Sequence, residues 1–151
     1  MNFGRVAAAA VIAWFVYMGL SPLVNNVLLA DLYAQHASVF RPADQMNLVV
    51  GFAASLVGFF AFAYAYARGY EGGNRAMEGL RFGVVVGLLL GCFAIIWNYV
   101  VLPVSGPLAL AWVVDTIVEM GIYGVVVGLT YRPMRASGPC RAPVAPKDLG
   151  R

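Results

Sequence analysis

The hydrophobic positions of this chain gather into four long stretches. These cover approximately residues 6–30, 46–67, 82–102 and 108–131. Each has about 20 or more residues, which is enough for an α-helix to cross a hydrocarbon core of about 30 Å. A helix pairs its own backbone groups, whereas open strands and loops leave theirs unpaired in lipid. The pattern therefore predicts an all-α fold, a polytopic membrane protein built as a four-helix transmembrane bundle.

The composition agrees with this prediction. Of the 151 residues, 62% are hydrophobic and 11% are charged, whereas about a quarter are charged in ordinary globular domains. We expect one transmembrane domain over residues 1–131 and a basic, proline-rich cytoplasmic tail over residues 132–151. The run after Arg5 has features of a secretory signal, but no small-residue cleavage site follows and apolar sequence resumes at Leu23. We expect a retained first helix that is kinked or interrupted near Pro22.

The distribution of basic residues indicates the orientation. They concentrate in the N-terminus, the second loop and the tail, which share one side of a four-span topology: Arg5, Arg68, Arg75, Arg81, Arg132, Arg135, Arg141, Lys147 and Arg151. The first loop has only Arg41, and the third loop has none. The positive-inside rule then places both termini in the cytoplasm. The net charge of +3 therefore reflects the topology. The partner that we expect is the lipid bilayer. With no basic stripe interleaved with aromatic residues, we expect no nucleic-acid partner.

Small residues recur along one face of the second and third helices. The third helix carries Gly79, Gly83, Gly87 and Gly91, and the second carries Gly51, Ala54, Ser55, Gly58, Ala61 and Ala65. Positions four apart share a helix face, and small residues there permit close backbone approach to another helix. We therefore expect both stripes to be packing faces, with the second and third helices pressed against neighbours or against each other.

The last apolar stretch contains two carboxylates one helical turn apart, Asp115 and Glu119. An ionisable side chain inside a membrane costs at least a few kcal/mol, and such residues are functional by default. With a rise of about 1.5 Å per residue, Asp115 lies roughly 12 Å and Glu119 about 18 Å along the helix from Pro107. Glycines occupy the opposite face of this helix. Contact on two faces would favour a homo-oligomer.

Polar residues on the other helices approach the same outer level of the bundle. The candidates for a site shared with the two acids are Asn25, Asn26, Asn98 and Trp112. Together they predict a polar vestibule that opens to the outside and has the carboxylates as its floor. Adjacent carboxylates at low dielectric do not both ionise freely, which suits a cation, protons or a polar small molecule. The alternative is that both acids are structural: they pair with Arg41 or with asparagine amides, or one of them stays protonated and hydrogen-bonded.

The sequence carries no signature of an enzyme. His36 is the only histidine, and no Walker loop, G-x-S-x-G or H-E-x-x-H motif is present;. The two cysteines, Cys92 and Cys140, lie at different levels, which argues against a thiol oxidoreductase. We expect no catalytic residues, no metal site and no cofactor, and we rank an enzyme below a binding protein or a structural protein.

A set of residues in the second half of the chain is similar to a pattern found in other proteins. EGLRFG at residues 78–83 is followed by PLALAW at residues 107–112, then by Asp115, Glu119 and Gly128. Through these residues the second helical hairpin resembles uncharacterised bacterial four-span inner-membrane proteins. The resemblance implies a compact helical bundle, and the preference for Arg over Lys suggests a bacterium.

Two functional hypotheses follow from these patterns. The first is a small integral membrane protein with a polar intramembrane site that binds or transports a small solute or cation, as a monomer or homo-oligomer. The second is a non-catalytic structural or accessory subunit of a larger membrane complex, in which the acids and glycines hold partner helices.

Overall fold

The computed structural model describes residues 2–131, and the predicted tail lies outside the described residues. Four long helices make up most of this part of the chain: span 1 (Phe3–Leu28), span 2 (Leu48–Gly69), span 3 (Arg75–Val101) and span 4 (Gly106–Thr130). Each is long and apolar enough to cross a membrane. Residues 2–131 form helices and connecting turns without a strand, so the predicted all-α four-helix bundle is confirmed.

Asparagine side chains cap the beginnings of spans 2 and 3. Oδ1 of Asn74 accepts hydrogen bonds from two backbone amides in the first turn of span 3. Span 2 is capped by Asn47, and Asp44 lies in a separate short turn before it. Span 3 begins at Arg75, before the apolar stretch that starts at residue 82. Its first turns are helical but polar, so hydropathy alone does not reveal them. Hydropathy marks the part of a helix suited to lipid, not the helix end.

Spans 1 and 3 each contain a widened helical turn in their second half, at Val24–Leu28 and Gly91–Ile95. In span 1 the amide of Leu29 donates to the carbonyl of Val24 at 3.0 Å. Just before this turn lies Pro22, which has no backbone N–H to donate to the preceding turn;. The predicted interruption of the first helix is therefore a widened turn, and the helix continues through Pro22.

The four spans form a ring in which the contact between spans 2 and 3 is the weakest. Span 4 packs closely against span 3, and span 1 packs against both span 2 and span 4. Spans 2 and 3 meet through aromatic side chains near the ends that the 70–74 loop joins. The rings of Phe62 and Phe82 lie 4.9 Å apart, and the hydroxyl of Tyr66 donates to the carbonyl of Arg75 at 3.2 Å.

The glycine stripe of span 3 faces span 4. An added Cβ on Gly79 would collide with the carbonyl of Gly124, and one on Gly83 would collide with the carbonyl of Met120. The backbones approach so closely that only hydrogen fits at these positions, which maximises dispersion contact between the helices. All four members of the stripe are buried: Gly79, Gly83, Gly87 and Gly91.

Five of the six small residues in the stripe of span 2 are exposed, and the sixth, Ser55, accepts a hydrogen bond from Nε1 of Trp14 in span 1 at 3.0 Å. Gly51 and Gly58 are exposed, and an added Cβ on either would meet no atom within 4 Å. Span 2 instead contributes Phe59, Phe62 and Tyr66 to the core, since large aromatic rings bury far more surface than glycine and alanine. Within residues 2–131, spans 2 and 3 therefore do not press together through their small residues.

Both faces of span 4 are covered within the chain. Gly124 and Gly128 contact span 3. On the other side, the ring of Tyr123 lies 6.1 Å from that of Tyr17 in span 1 and 5.2 Å from that of Phe59 in span 2. The two-sided contact that favoured a homo-oligomer is thus supplied by spans of the same chain.

Candidate functional site

Glu119 is the only buried charged side chain in the described part of the chain, with 8% of its surface exposed. Its Oε2 accepts a hydrogen bond from the hydroxyl of Tyr123 at 2.8 Å. The two residues are four apart on span 4, so the helix itself brings them together. Oε1 has no hydrogen-bond partner. A buried carboxyl oxygen without a partner is costly, so the carboxyl group of Glu119 is the candidate contact for a ligand.

A cavity of about 380 Å³ lies beside Glu119 and Asp115; we call it the polar cavity. It joins four of the predicted site residues: Asn98, Trp112, Asp115 and Glu119. Asp115 is half-buried, and Asn98 is exposed at the rim. Two further polar side chains line it, from Ser21 and Thr116. The sequence analysis did not include them, because a lone hydroxyl in a helix carries no signal of its own.

The predicted asparagines of span 1 lie elsewhere. Asn25 accepts a hydrogen bond from the hydroxyl of Tyr33 at 2.8 Å and donates one to the carbonyl of Ser21 at 2.8 Å. Asn26 is exposed. Both line a separate cavity of about 720 Å³ under the first loop. The structure therefore places neither Asn25 nor Asn26 in the cavity of Asp115 and Glu119, contrary to the predicted vestibule.

A hydrogen-bonded chain connects the first loop to span 4. Nε1 of Trp112 donates to the hydroxyl of Tyr33 at 2.8 Å, and this hydroxyl in turn donates to Asn25. Burial raises the pKa of Tyr33 above its ordinary value, while the hydrogen bond from Trp112 lowers it. Burial has the larger effect, so the pKa of Tyr33 moves further above neutral pH.

Three aromatic rings line the polar cavity on the side of the first loop. The ring centroids of Tyr33 and Phe40 lie 5.1 Å apart, and the ring of Trp112 lies 6.3 Å from the former and 6.1 Å from the latter. Edge-to-face arrangements of this kind stabilise a cluster beyond its buried area. Trp112 therefore contributes a wall to the cavity, whereas Trp97 is exposed on the surface of the bundle.

His36 joins the two loops at this end of the bundle. Its Nε2 accepts from the backbone amide of Ser105 at 3.0 Å, and its Nδ1 lies 2.9 Å from the carbonyl of Leu32. A neutral imidazole that donates from Nδ1 and accepts at Nε2 satisfies both contacts. His36 is therefore a structural link between the first loop and the beginning of span 4.

A second cavity, of about 470 Å³, touches Glu119 and lies between spans 2 and 3; we call it the lateral groove. Its walls are almost entirely apolar, and it does not include Asp115. Glu119 thus lines both cavities. The groove was not predicted, because the small residues of spans 2 and 3 suggested that these two spans press together. One signal in the sequence could have indicated the groove: span 2 carries small residues on one face and large aromatic side chains on another.

The described residues define a class of protein. Within residues 2–131, no three Cys, His, Asp or Glu side chains gather as metal ligands. The chain is an all-α bundle with four apolar helices compatible with a multi-pass membrane protein, and one carboxylate is buried among them. Comparison with family profiles, with curated proteins and with solved structures returns no match.

Proposed function

We propose that this chain is a small multi-pass protein of the bacterial inner membrane, with both termini in the cytoplasm, that binds or transports a small solute or cation. The observation that carries the proposal is the carboxylate of Glu119, which is 8% exposed and has an oxygen without a partner. A carboxylate at this depth attracts a positive charge strongly, since screening falls with the local dielectric.

The polar cavity adds further oxygen atoms to this site. Asp115 lies one turn from Glu119, and Asn98 and Thr116 also line the cavity. Carboxylate, amide and hydroxyl oxygens are the ligands that hard cations prefer, and they also bind ammonium groups through hydrogen bonds. A site built from two carboxylates therefore favours a cation over an anion.

The structural alternative for the acids has less support. In its first form it pairs the acids with Arg41, which is exposed and instead lines the cavity of Asn25 and Asn26. In its last form one acid stays protonated and hydrogen-bonded, and the bond between Tyr123 and Glu119 is of that kind. Tyr123 satisfies one oxygen of Glu119, but the other oxygen is left over. A purely structural carboxyl would be expected to have both oxygens paired.

Thermal unfolding of the protein in lipid nanodiscs tests the proposal. The probes are sodium, potassium, methylammonium and tetramethylammonium chloride at constant ionic strength. A probe at about ten times its Kd stabilises the native state by about 1.4 kcal/mol. We expect at least one probe to raise the Tm of the wild type but not that of Glu119→Gln. Reconstitution in proteoliposomes then asks whether the bound probe also crosses the membrane.

The matched control is Glu71→Gln, which makes the same chemical change at an exposed loop position. It should respond to the probes like the wild type. If neither the four probes nor benzyltrimethylammonium stabilises the wild type, or if Glu119→Gln responds equally, the proposed site is wrong.

One observation favours the second candidate, a structural or accessory subunit. The stripe of span 2 that includes Gly51 and Gly58 is exposed along the helix, and such stripes permit close packing of a partner helix. Purification from native membranes in mild detergent distinguishes the two candidates. An accessory subunit elutes with a different membrane protein at fixed stoichiometry, whereas a binding protein or transporter elutes as a monomer or homo-oligomer.

A further inference from the structure

We propose that the ligand of this site is an organic cation with an apolar body, which places its charge at Glu119 and its body in the lateral groove. The inference rests on the proposed binding function and adds the class of ligand. It follows from the position of Glu119 on two cavities of opposite character.

The lateral groove opens on the side of the bundle. Gly58 and Ala61 of span 2 and Leu90 of span 3 line it, and all three are exposed. They lie in the middle parts of two helices long enough to cross a membrane, so the opening faces the hydrocarbon region of a bilayer. An inorganic ion would have to enter this groove without its hydration shell, whereas an apolar molecule enters it from lipid readily.

Aromatic rings form the deep wall of the groove beside Glu119. The rings of Tyr17 and Phe59 lie 5.6 Å apart, and the rings of Phe59 and Tyr123 lie 5.2 Å apart. Phe62 and Phe82 continue this wall, with their rings 4.9 Å apart. Aromatic faces attract weakly hydrated cations, quaternary ammonium groups above all. A carboxylate next to several rings is therefore suited to an organic cation rather than to a metal ion.

The size of the groove fits such a ligand. Its volume of about 470 Å³ lies within the range of about 300–1,000 Å³ that is typical of small-molecule sites. A second copy of the chain is the competing occupant. Packing an apolar span into the groove would cover its walls but would bring no positive charge to Glu119, which lines it. Charge complementarity therefore favours a cationic ligand.

Three probes separate the contributions of charge and body. Benzyltrimethylammonium carries both, tetramethylammonium carries only the charge, and neopentylbenzene has the shape of the first probe without the charge. In nanodiscs we expect benzyltrimethylammonium to bind at least about tenfold more tightly than tetramethylammonium, because its ring is buried in the groove. We expect Glu119→Gln to remove this binding while the affinity for neopentylbenzene stays low.

A pair of glycine variants tests the location of the body. Gly58→Leu places a side chain in the groove, whereas Gly51→Leu makes the same change on the same helix outside the groove. Neither position has an atom within 4 Å of an added Cβ, so neither change should disturb the fold. We expect Gly58→Leu to weaken benzyltrimethylammonium binding at least about tenfold and to leave tetramethylammonium binding unchanged. Gly51→Leu should change the binding of neither probe.

The outcomes distinguish this inference from the proposed function. Equal affinity for the two ammonium probes, or equal binding by the two leucine variants, overturns the assignment of the groove but leaves a cation site at Glu119. Equal affinity for benzyltrimethylammonium and its neutral analogue, unaffected by Glu119→Gln, overturns the cation site as well. If Gly58→Leu instead changes the oligomeric mass of the protein without changing probe binding, a second copy occupies the groove and the inference is wrong.

Discussion

The hydroxyl of Tyr123 donates to Oε2 of Glu119 at 2.8 Å, and this is the one hydrogen bond to that carboxylate in the described part of the chain. Tyr123 is 1% exposed, so water has little access to either group. Tyr123→Phe keeps the ring contacts with Tyr17 and Phe59 but leaves both oxygens of Glu119 without a donor.

We expect Tyr123→Phe to lower the free energy of unfolding by about 1 kcal/mol, as is typical of a hydrogen bond inside a membrane protein. Reversible unfolding in mixed micelles measures this change. Tyr99→Phe is the control, because Tyr99 is 46% exposed and donates to no described residue; its stability should equal that of the wild type. Equal stabilities of the two variants would show that the Tyr123 bond contributes nothing.

Alanine should have different effects on stability at a glycine in the contact between spans 3 and 4 and at an exposed glycine of span 2. An added Cβ on Gly83 would collide with the carbonyl of Met120, which cannot move without moving its helix, whereas one on Gly51 meets nothing. Gly83→Ala should therefore destabilise the protein by about 1–3 kcal/mol through overpacking.

Gly51→Ala should leave the stability unchanged or raise it by up to about 1 kcal/mol, because alanine favours the helix. Thermal unfolding of both variants in the same detergent provides the comparison. Two variants that shift in the same direction would contradict the close contact at Gly83.

The hydrogen-bonded chain through Tyr33 predicts coupling between two distant positions. Trp112 donates to Tyr33, and Tyr33 donates to Asn25. Removing the hydroxyl with Tyr33→Phe should cost about 1–2 kcal/mol, since two partners lose a bond. Once it is absent, Trp112→Phe should cost less than it does in the wild type. A double-mutant cycle from unfolding curves measures the difference, and strictly additive effects would refute the connection.

The four spans could be predicted from the sequence because the reason for them is local. Each apolar stretch is long enough to cross a bilayer, and this property does not depend on the other helices. The cap at Asn74 was predictable for the same reason, since a capping side chain acts within its own turn. Asp115 and Glu119 stood out because carboxylates are rare in apolar segments.

The arrangement of the spans could not be predicted in the same way. A stripe of small residues indicates that a close contact is permitted but not which helix supplies it. Span 3 uses its glycines against span 4, whereas span 2 leaves its own stripe exposed and packs through Phe59 and Phe62. The lateral groove results from this choice. Likewise, the partners of Asn25 are set by the path of the first loop, which no local pattern specifies.

The contact between His36 and Ser105 leads to the last prediction. The backbone amide of Ser105, just before span 4, donates to Nε2 of His36 across a sequence separation of 69 residues. His36→Ala removes this acceptor, and the loss of one hydrogen bond, about 1 kcal/mol, corresponds to about fivefold faster amide exchange at Ser105. Hydrogen–deuterium exchange of the intact protein in nanodiscs measures this rate.

The control for this experiment is Gln35→Ala, at the neighbouring exposed position, which should leave the exchange of Ser105 unchanged. The amide of Tyr131, bonded to the carbonyl of Val127 at the far end of span 4, should exchange at the wild-type rate in both variants. Faster exchange along the whole of span 4 in His36→Ala would show that the histidine supports the entire bundle. An unchanged rate at Ser105 would show that the first loop and span 4 are not joined through His36.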